Sequence, residues 1–304
     1  MNVAVIDLGT NTFNLLICEV THSSYSILFQ TKTVPKLGQE SFFSGVLPAK
    51  AIKRGLKALQ ALNSHILQYN CHSVIAIGTS ALRHASNAQD FVEAVNRECG
   101  YTISIISGEQ EAEYIYLGNK LAFDWGMQTV LIIDIGGGSN ECILCEGERL
   151  VWKKSFENGM QRIRNAYSSS FPLQSDDIKG VVGYLNETFQ ELHDVIHAYN
   201  VDILIGSSGP FDTFRDMCAV KNANVNDDSS SFEFEKSEIL NLFSVLLNSN
   251  LAQLIDVPGM DKARAEHIPV AVLITQYLFE VCKEPRIVQS SFSLKEGVIK
   301  TLIS

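Results

Sequence analysis

A strand–turn–strand pattern that occurs twice constrains this chain most. Residues 3–20, VAVIDLGTNTFNLLICEV, give an apolar strand, an Asp-Leu-Gly turn, a short polar stretch and a second apolar strand. Residues 130–145, VLIIDIGGGSNECILC, repeat that order around Asp-Ile-Gly. A later strand in each half ends in glycine and two hydroxyl residues, Gly78-Thr79-Ser80 and Gly206-Ser207-Ser208. Asp7 precedes Gly78 by 71 residues and Asp134 precedes Gly206 by 72. Two features recurring at one offset predict two domains of the same topology, duplicated in tandem.

Between the paired elements, strand and helix patterns alternate. Residues 48–69 open at Pro48 and place Ile52, Leu56, Leu59, Leu62 and Ile66 at steps of three and four. Residues 176–199 do the same with Ile178, Val182, Leu185, Phe189, Leu192 and Ile196. Both predict amphipathic helices on a sheet, so the fold class is α/β. The expected domains are residues 1–124 and 125–304, with the last helix, 294–303, a candidate to return to the first. Ser168–Asp177 and Asn222–Ser231 read as loops within the second half, and Ser175 is a candidate helix cap.

Composition narrows the class. The chain has 304 residues, 24 Lys and Arg against 34 Asp and Glu, and a net charge of −10. That sign opposes nonspecific nucleic-acid binding. No apolar run nears the ~18 residues of a membrane helix, and the N-terminus lacks a signal peptide's basic region. The expected location is the cytoplasm, with the seven cysteines as thiols. Charge is uneven: residues 1–124 carry 9 basic and 10 acidic residues, and 125–304 carry 15 and 24. Residues 41–89 contain no Asp or Glu, but hold Lys50, Lys53, Arg54, Lys57 and Arg83.

Each Asp-x-Gly turn can present backbone N–H groups to phosphate oxygens, because glycine allows close approach. Gly136-Gly137-Gly138-Ser139 suits this role, with Gly9-Thr10-Asn11 as its weaker counterpart. Each turn also ends a strand on an aspartate, Asp7 or Asp134, a residue that can hold Mg²⁺. The alternative is a plain tight hairpin. In IISGEQEAEYIYLG, residues 105–118, Glu109 and Glu113 share a helical face while Glu111 points elsewhere. These acids complement a helix dipole, or Glu111 orients and deprotonates water. Gly78-Thr79-Ser80 with Arg83 one turn on suits an anion, or is ordinary N-capping. Gly206-Ser207-Ser208-Gly209 is the partner element, where Pro210 removes one donor. Cys142 and Cys145 lie on a predicted strand with no second pair at zinc spacing and read as core thiols. His193 and His197 lack a third ligand and read as surface residues.

Together these residues resemble the exopolyphosphatase and guanosine pentaphosphate phosphohydrolase family, within the actin-like ATPase superfamily. The resemblance rests on V-I-D-L-G-T-N-T-F at 5–13, G-T-S-A-L-R at 78–83, I-S-G-E-Q-E-A at 106–112 and I-D-I-G-G-G-S at 133–139. It continues through Gly159-x-x-Arg162, G-S-S-G at 206–209, P-G-M-x-x-x-R at 258–264 and E-G-V at 296–298. It implies two ribonuclease-H-like domains with an interdomain cleft in which a terminal phosphoanhydride is hydrolysed with Mg²⁺. By position Glu111 matches the catalytic glutamate, Arg83 a catalytic phosphate contact, and Asp134 with Glu141 the metal-binding acids. Asp7, Gly9, Thr10, Asn11, Gly136, Gly137, Gly138, Ser139, Ser208 and Gly209 match phosphate-binding positions.

The chain departs from the family pattern at Gln110 for the first glutamate of an E-E pair, Pro210 for Thr and Lys295 for Arg. Longer members carry a C-terminal helical extension absent here, so short chains are the expected substrates. The expected function is Mg²⁺-dependent exopolyphosphatase activity releasing orthophosphate. The alternatives are a guanosine pentaphosphate (pppGpp) 5′-phosphohydrolase and a noncatalytic alarmone or polyphosphate sensor. Expected partners are polyphosphate or guanosine pentaphosphate, with a homodimer left open and neither nucleic acid nor membrane. The acid-free stretch is then either a solvated face or a basic track that draws in polyphosphate towards Arg83.

Overall fold

In the computed structural model, which describes residues 1–39, 41–167, 170–220 and 229–303, the chain divides into two compact units. These are Met1–Leu121 with Ser293–Ser304, and Ala122–Phe292. In the first, β1 (Asn2–Leu8), β2 (Phe13–Val20) and β3 (Tyr25–Thr33) form an antiparallel meander. After α1 (Ser41–Ser44) and α2 (Ala49–Gln68), β4 (Ser73–Gly78) joins parallel to β1. Then come α3 (Ser80–His84), α4 (Ala88–Cys99), β5 (Ile103–Ile105) and α5 (Gly108–Ala122), for a sheet order β3-β2-β1-β4-β5. Val3 to Ile6 are all fully buried, as expected of a central strand covered on both faces.

The second unit repeats the plan. β6 (Thr129–Ile135), β7 (Asn140–Glu146) and β8 (Arg149–Phe156) form the meander, and α6 (Met160–Tyr167), α7 (Ser175–Thr188) and α8 (Gln190–Ile196) lead to β9 (Ile203–Ser207), parallel to β6. The rest is α9 (Pro210–Ala219), β10 (Ser231–Glu233), α10 (Lys236–Leu247), α11 (Leu251–Asp256), α12 (Ile268–Val281) and β11 (Arg286–Ser290). The sheet order is β10-β11-β9-β6-β7-β8. No helix among the described residues is long and apolar enough to cross a membrane.

The duplication extends to atomic detail, with one slip. Asp7 pairs with Asn14 across β1–β2 as Asp134 pairs with Glu141 across β6–β7. Gly9 N–H donates to Thr12 O at 3.0 Å, and Gly136 N–H to Ser139 O at 3.0 Å. The parallel ladders differ, however. Gly78 lies opposite Leu8, one residue past Asp7, whereas Gly206 lies opposite Ile133, one before Asp134. The Gly-hydroxyl triplets are therefore not equivalent; Ser208-Gly209 precede α9 as Gly78-Thr79 precede α3. A two-residue slip preserves facing, so the hydrophobic pattern does not reveal it.

Several elements differ from the sequence reading. The predicted 176–199 helix is two helices, interrupted at Phe189 (φ −94°, ψ 15°), beside which the Thr188 hydroxyl bonds back to Tyr184 O at 2.9 Å. Ser175 is the first residue of α7 rather than its cap; Asp177 Oδ2 caps the turn by accepting from Gln174 N–H at 2.9 Å. Of the two predicted loops, 168–169 and 222–228 lie outside the described residues. In α2 the buried stripe is Ala51, Gly55, Leu59, Leu62 and Ile66, because Gly55 admits the Phe91 ring, which an added Cβ would meet at 3.0 Å.

The second unit starts at Ala122, three residues before the expected boundary, and α13 (Leu294–Lys300) belongs to the first unit. Two glycines bring α13 against α5. A Cβ on Gly297 would lie 1.8 Å from Tyr114 O, and one on Gly118 would lie 2.0 Å from Ser293 O. The helices thus meet backbone to backbone, and α13 is closed by Ser293 N–H donating to Glu296 Oε2 at 2.8 Å.

Candidate active site

In the first unit the turn after Asp7 is tied from behind. Its Thr10 and Asn11 carbonyls accept from Gly38 N–H (2.8 Å) and Lys36 N–H (3.0 Å). Arg54 braces that backing segment through Nε to Pro35 O (2.9 Å) and Nη2 to Lys36 O (3.1 Å). With its carbonyls so engaged, the turn keeps the Thr10 and Asn11 amides free of partners among the described residues, as phosphate binding requires. Arg54 therefore has a structural task and is not one of four equivalent solvated cations.

Asp7 accepts from Asn14 Nδ2 at 3.0 Å. Burial pushes its carboxyl above the ordinary 3.8, opposed by Lys295 and the Asn14 hydrogen bond and reinforced by Glu296. An acid whose pKa is raised on folding costs stability when ionised, and that cost disappears as pH falls through the folded value towards 3.8. Asp7→Asn is thus expected to melt above wild type at pH 7 in EDTA, with the gap narrowing on acidification. An Asn variant less stable than wild type at pH 7 contradicts this.

Arg83 and Glu111 form the other part of the first-unit site. Arg83 Nη1 donates to Glu111 Oε2 at 3.0 Å and to Ile106 O at 3.1 Å, and Glu111 is 8% exposed. Glu109 is exposed on the other side of α5. Gln110, the departure from E-E, closes a capping box: its Oε1 accepts from Ser107 N–H and its own N–H donates to Ser107 Oγ, both at 3.2 Å. Gln serves there as well as Glu, which explains why the change leaves Glu111 in place. Thr79 does not cap α3; its hydroxyl donates to Leu8 O at 3.3 Å. Ser80 Oγ, at the start of Arg83's own helix, is buried with no partner among the described residues.

The second unit backs its glycine turn with a helix N-terminus. Met160, Gln161 and Gly159 amides donate to the carbonyls of Gly136 (2.9 Å), Gly137 (2.9 Å) and Gly138 (3.3 Å). Arg162 Nε adds a bond to Gly138 O at 2.8 Å and its Nη2 pairs with Glu157 at 2.9 Å. A Cβ on Gly159 would sit 2.5 Å from Gly138 C, so only glycine lets α6 press this close. The amides of Gly137, Gly138 and Ser139 are left without partners among the described residues. Sequence reasoning noted Gly159-x-x-Arg162 only through the resemblance and gave it no task; its glycine spacing was the available signal.

Asp134 and Glu141 are rung partners on β6–β7, so their carboxylates share a sheet face. Glu141 is 2% exposed, and Ser155 Oγ donates to its Oε1 at 2.6 Å. Among the described residues no three His, Cys, Asp or Glu side chains group as a metal cage. Mg²⁺ takes one or two carboxylates and completes its shell with water and phosphate oxygens, so this pair fits it.

Ser208 is less available than expected. Its N–H donates to Ser290 O at 2.8 Å and its hydroxyl to Asp212 Oδ2 at 3.3 Å, which leaves the Gly209 amide as this turn's open donor. Cys142 and Cys145 are buried and not joined in a disulfide. His193 shares a hydrogen bond with Tyr277 OH and is part-buried structure rather than a surface group.

The duplicated α/β units each present an amide-lined turn beside a strand-end aspartate, an arrangement suited to phosphate oxygens. A model of the Ppx/GppA phosphatase family matches residues 16–304, and the chain belongs to that family, whose members are hydrolases acting on phosphoanhydride bonds. It is 26% identical over 302 residues to a putative exopolyphosphatase of Haemophilus influenzae, covering 99% of this chain and 91% of that one. To a guanosine-5′-triphosphate,3′-diphosphate pyrophosphatase of Vibrio parahaemolyticus it is 23% identical over 300 residues, 99% of this chain but 59% of that protein's length. An exopolyphosphatase of Cytophaga hutchinsonii superposes with a TM-score of 0.95 at 29% identity, with both chains fully covered.

Proposed function

We propose that this chain is an exopolyphosphatase that removes the terminal phosphate of inorganic polyphosphate by hydrolysis. The observation that carries the reading is the pair of buried Glu111 and part-buried Arg83, 3.0 Å apart, in the unit that also holds an amide-lined turn. Glu111, fixed by Arg83, orients the attacking water and accepts its proton. The Arg83 guanidinium offsets charge on the transferring phosphoryl group. The open Thr10 and Asn11 amides of the same unit hold non-transferring oxygens, and the open Gly137, Gly138 and Ser139 amides of the second unit offer the same kind of contact. Bound at Asp134 and Glu141, Mg²⁺ would supply further neutralisation of phosphoryl oxygens.

The Vibrio relative's name supports a second reading, a guanosine pentaphosphate 5′-phosphohydrolase. The test measures orthophosphate released from tripolyphosphate, longer polyphosphates, pppGpp and ATP, each with Mg²⁺ or EDTA. The proposal expects Mg²⁺-dependent release, fastest from polyphosphate. Faster release from pppGpp selects the second reading, and tight binding without turnover of any substrate selects a sensor.

A further inference from the structure

α2 is the longest helix among the described residues, 20 residues, and its first turn carries the wrong charge for its own stability. Acids occupy the first turn of α4 (Asp90), α5 (Glu109, Glu111), α7 (Asp176, Asp177) and α10 (Glu238), where they complement the helix dipole. The first turn of α2 has none, as in α6, α11 and α12, and its N-cap, Pro48, makes no side-chain cap bond. Lys50 stands there instead, opposing the dipole, and Lys53, Arg54 and Lys57 follow in the next two turns.

Arg54 is accounted for by its bonds to Pro35 and Lys36. Lys50, Lys53 and Lys57 are exposed and have no ion-pair or hydrogen-bond partner among the described residues. At ~100° per residue the three fall within about 60° of arc, opposite the buried Ala51–Leu59–Leu62–Ile66 stripe. They span about 10.5 Å along the axis at ~1.5 Å per residue. Residues 41–89 supply no acid to neutralise them.

The position of these lysines supplies a use. Through Arg54 the start of α2 is tied to the segment behind the Gly9–Asn11 turn. Just before the helix, Leu47 N–H donates to Asn87 Oδ1 (2.7 Å), Asn87 Nδ2 to Leu47 O (3.0 Å) and Ser86 N–H to Gly45 O (2.8 Å). Residues 86–87 follow α3, which carries Arg83, after the single residue Ala85. The start of α2, where the lysine face begins, is therefore tied to segments that adjoin both parts of the first-unit site. We infer that Lys50, Lys53 and Lys57 form a docking face for the distal part of a polyphosphate chain whose end lies at that site.

This rests on the polyphosphate reading, and the test separates the two. A polyanion covering all three lysines binds with a salt dependence that grows with each cation engaged. The Lys50→Gln, Lys53→Gln, Lys57→Gln triple variant, with Arg54 retained, is compared with wild type on tripolyphosphate and long-chain polyphosphate over a range of salt. KM for the long chain is expected to rise roughly tenfold near ~0.1 M salt, and its log–log salt slope to fall by roughly two. The kcat and KM for tripolyphosphate should stay unchanged, and Tm should not fall. An unchanged long-chain KM, or an equal rise for both substrates, overturns the inference.

Binding of long-chain polyphosphate in EDTA, measured by calorimetry in a Glu111→Gln background, gives an arm independent of turnover. There the triple variant should lose the same tenfold. If wild type hydrolyses no polyphosphate, the functional reading fails, and the face is judged by this arm alone. Single-stranded RNA of matched charge is the competitor. RNA binding as tightly and losing the same factor would overturn assignment of the face to polyphosphate.

Discussion

Replacing Glu111 with Gln is expected to lower orthophosphate release by roughly 10²- to 10⁴-fold, the range spanned by loss of a positioned general base. The substitution isolates the chemistry because the glutamine carbonyl can still accept from Arg83 Nη1, now 3.0 Å from Glu111 Oε2. Burial is unchanged, and α5 keeps its Ser107–Gln110 cap. The melting temperature should therefore stay close to that of wild type and substrate binding should survive, so the loss falls on kcat. Truncation to Ala is a poorer probe, since it strips a partner from a part-buried guanidinium, which is strongly destabilising in its own right. A Glu111→Gln enzyme with wild-type turnover would remove Glu111 from its assigned role.

Gly297→Ala is expected to have the largest effect on stability. Its Cβ would fall 1.8 Å from Tyr114 O, a backbone atom that no rotamer change can move away. The reciprocal approach of Gly118 to Ser293 O at 2.0 Å means that α5 and α13 can relieve the clash only by separating. Overpacking costs ~1–3 kcal/mol in side-chain cases, and a backbone contact belongs at or above the upper end, about 3 kcal/mol. That corresponds to a fall in Tm of roughly 10 °C for a unit of this size. Because α5 carries Glu111, the folded fraction should also turn over more slowly. Gly183→Ala in α7 is the matched control: nothing lies within 4 Å of its added Cβ, so it should be neutral or slightly stabilising. Equal melting of the Gly297→Ala and Gly183→Ala proteins would contradict this account of the α5–α13 contact.

The duplicated plan was legible because a strand ending in Asp-x-Gly is a local signal, written twice in consecutive residues. Asp7 and Asp134 with their turns could be marked from that signal, Arg83 from the Gly78-Thr79-Ser80 element and Glu111 from the acid-rich helix start, while the roles of the last two came from the family resemblance. What escaped is non-local. The braces behind the turns, Arg54 through Pro35 and Lys36 and Arg162 directly on Gly138, are side chain to carbonyl bonds that leave no periodic trace. The two-residue difference in ladder register conserves which face each side chain takes, so Gly78 and Gly206 looked equivalent and are not. Gly297 was visible only as part of E-G-V; its reason is a helix almost two hundred residues earlier in the chain. Composition misled in one respect, since it counted Arg54 with three lysines whose surroundings are different.

The central claim is cleavage at the end of a polyphosphate chain, and ³¹P NMR of a long-chain polyphosphate during turnover with Mg²⁺ tests it directly. Release from the end makes orthophosphate appear from the earliest time points while the count of chain-end phosphates stays constant. Cleavage within the chain would instead multiply end-group signals before orthophosphate accumulates, and that result would contradict the account.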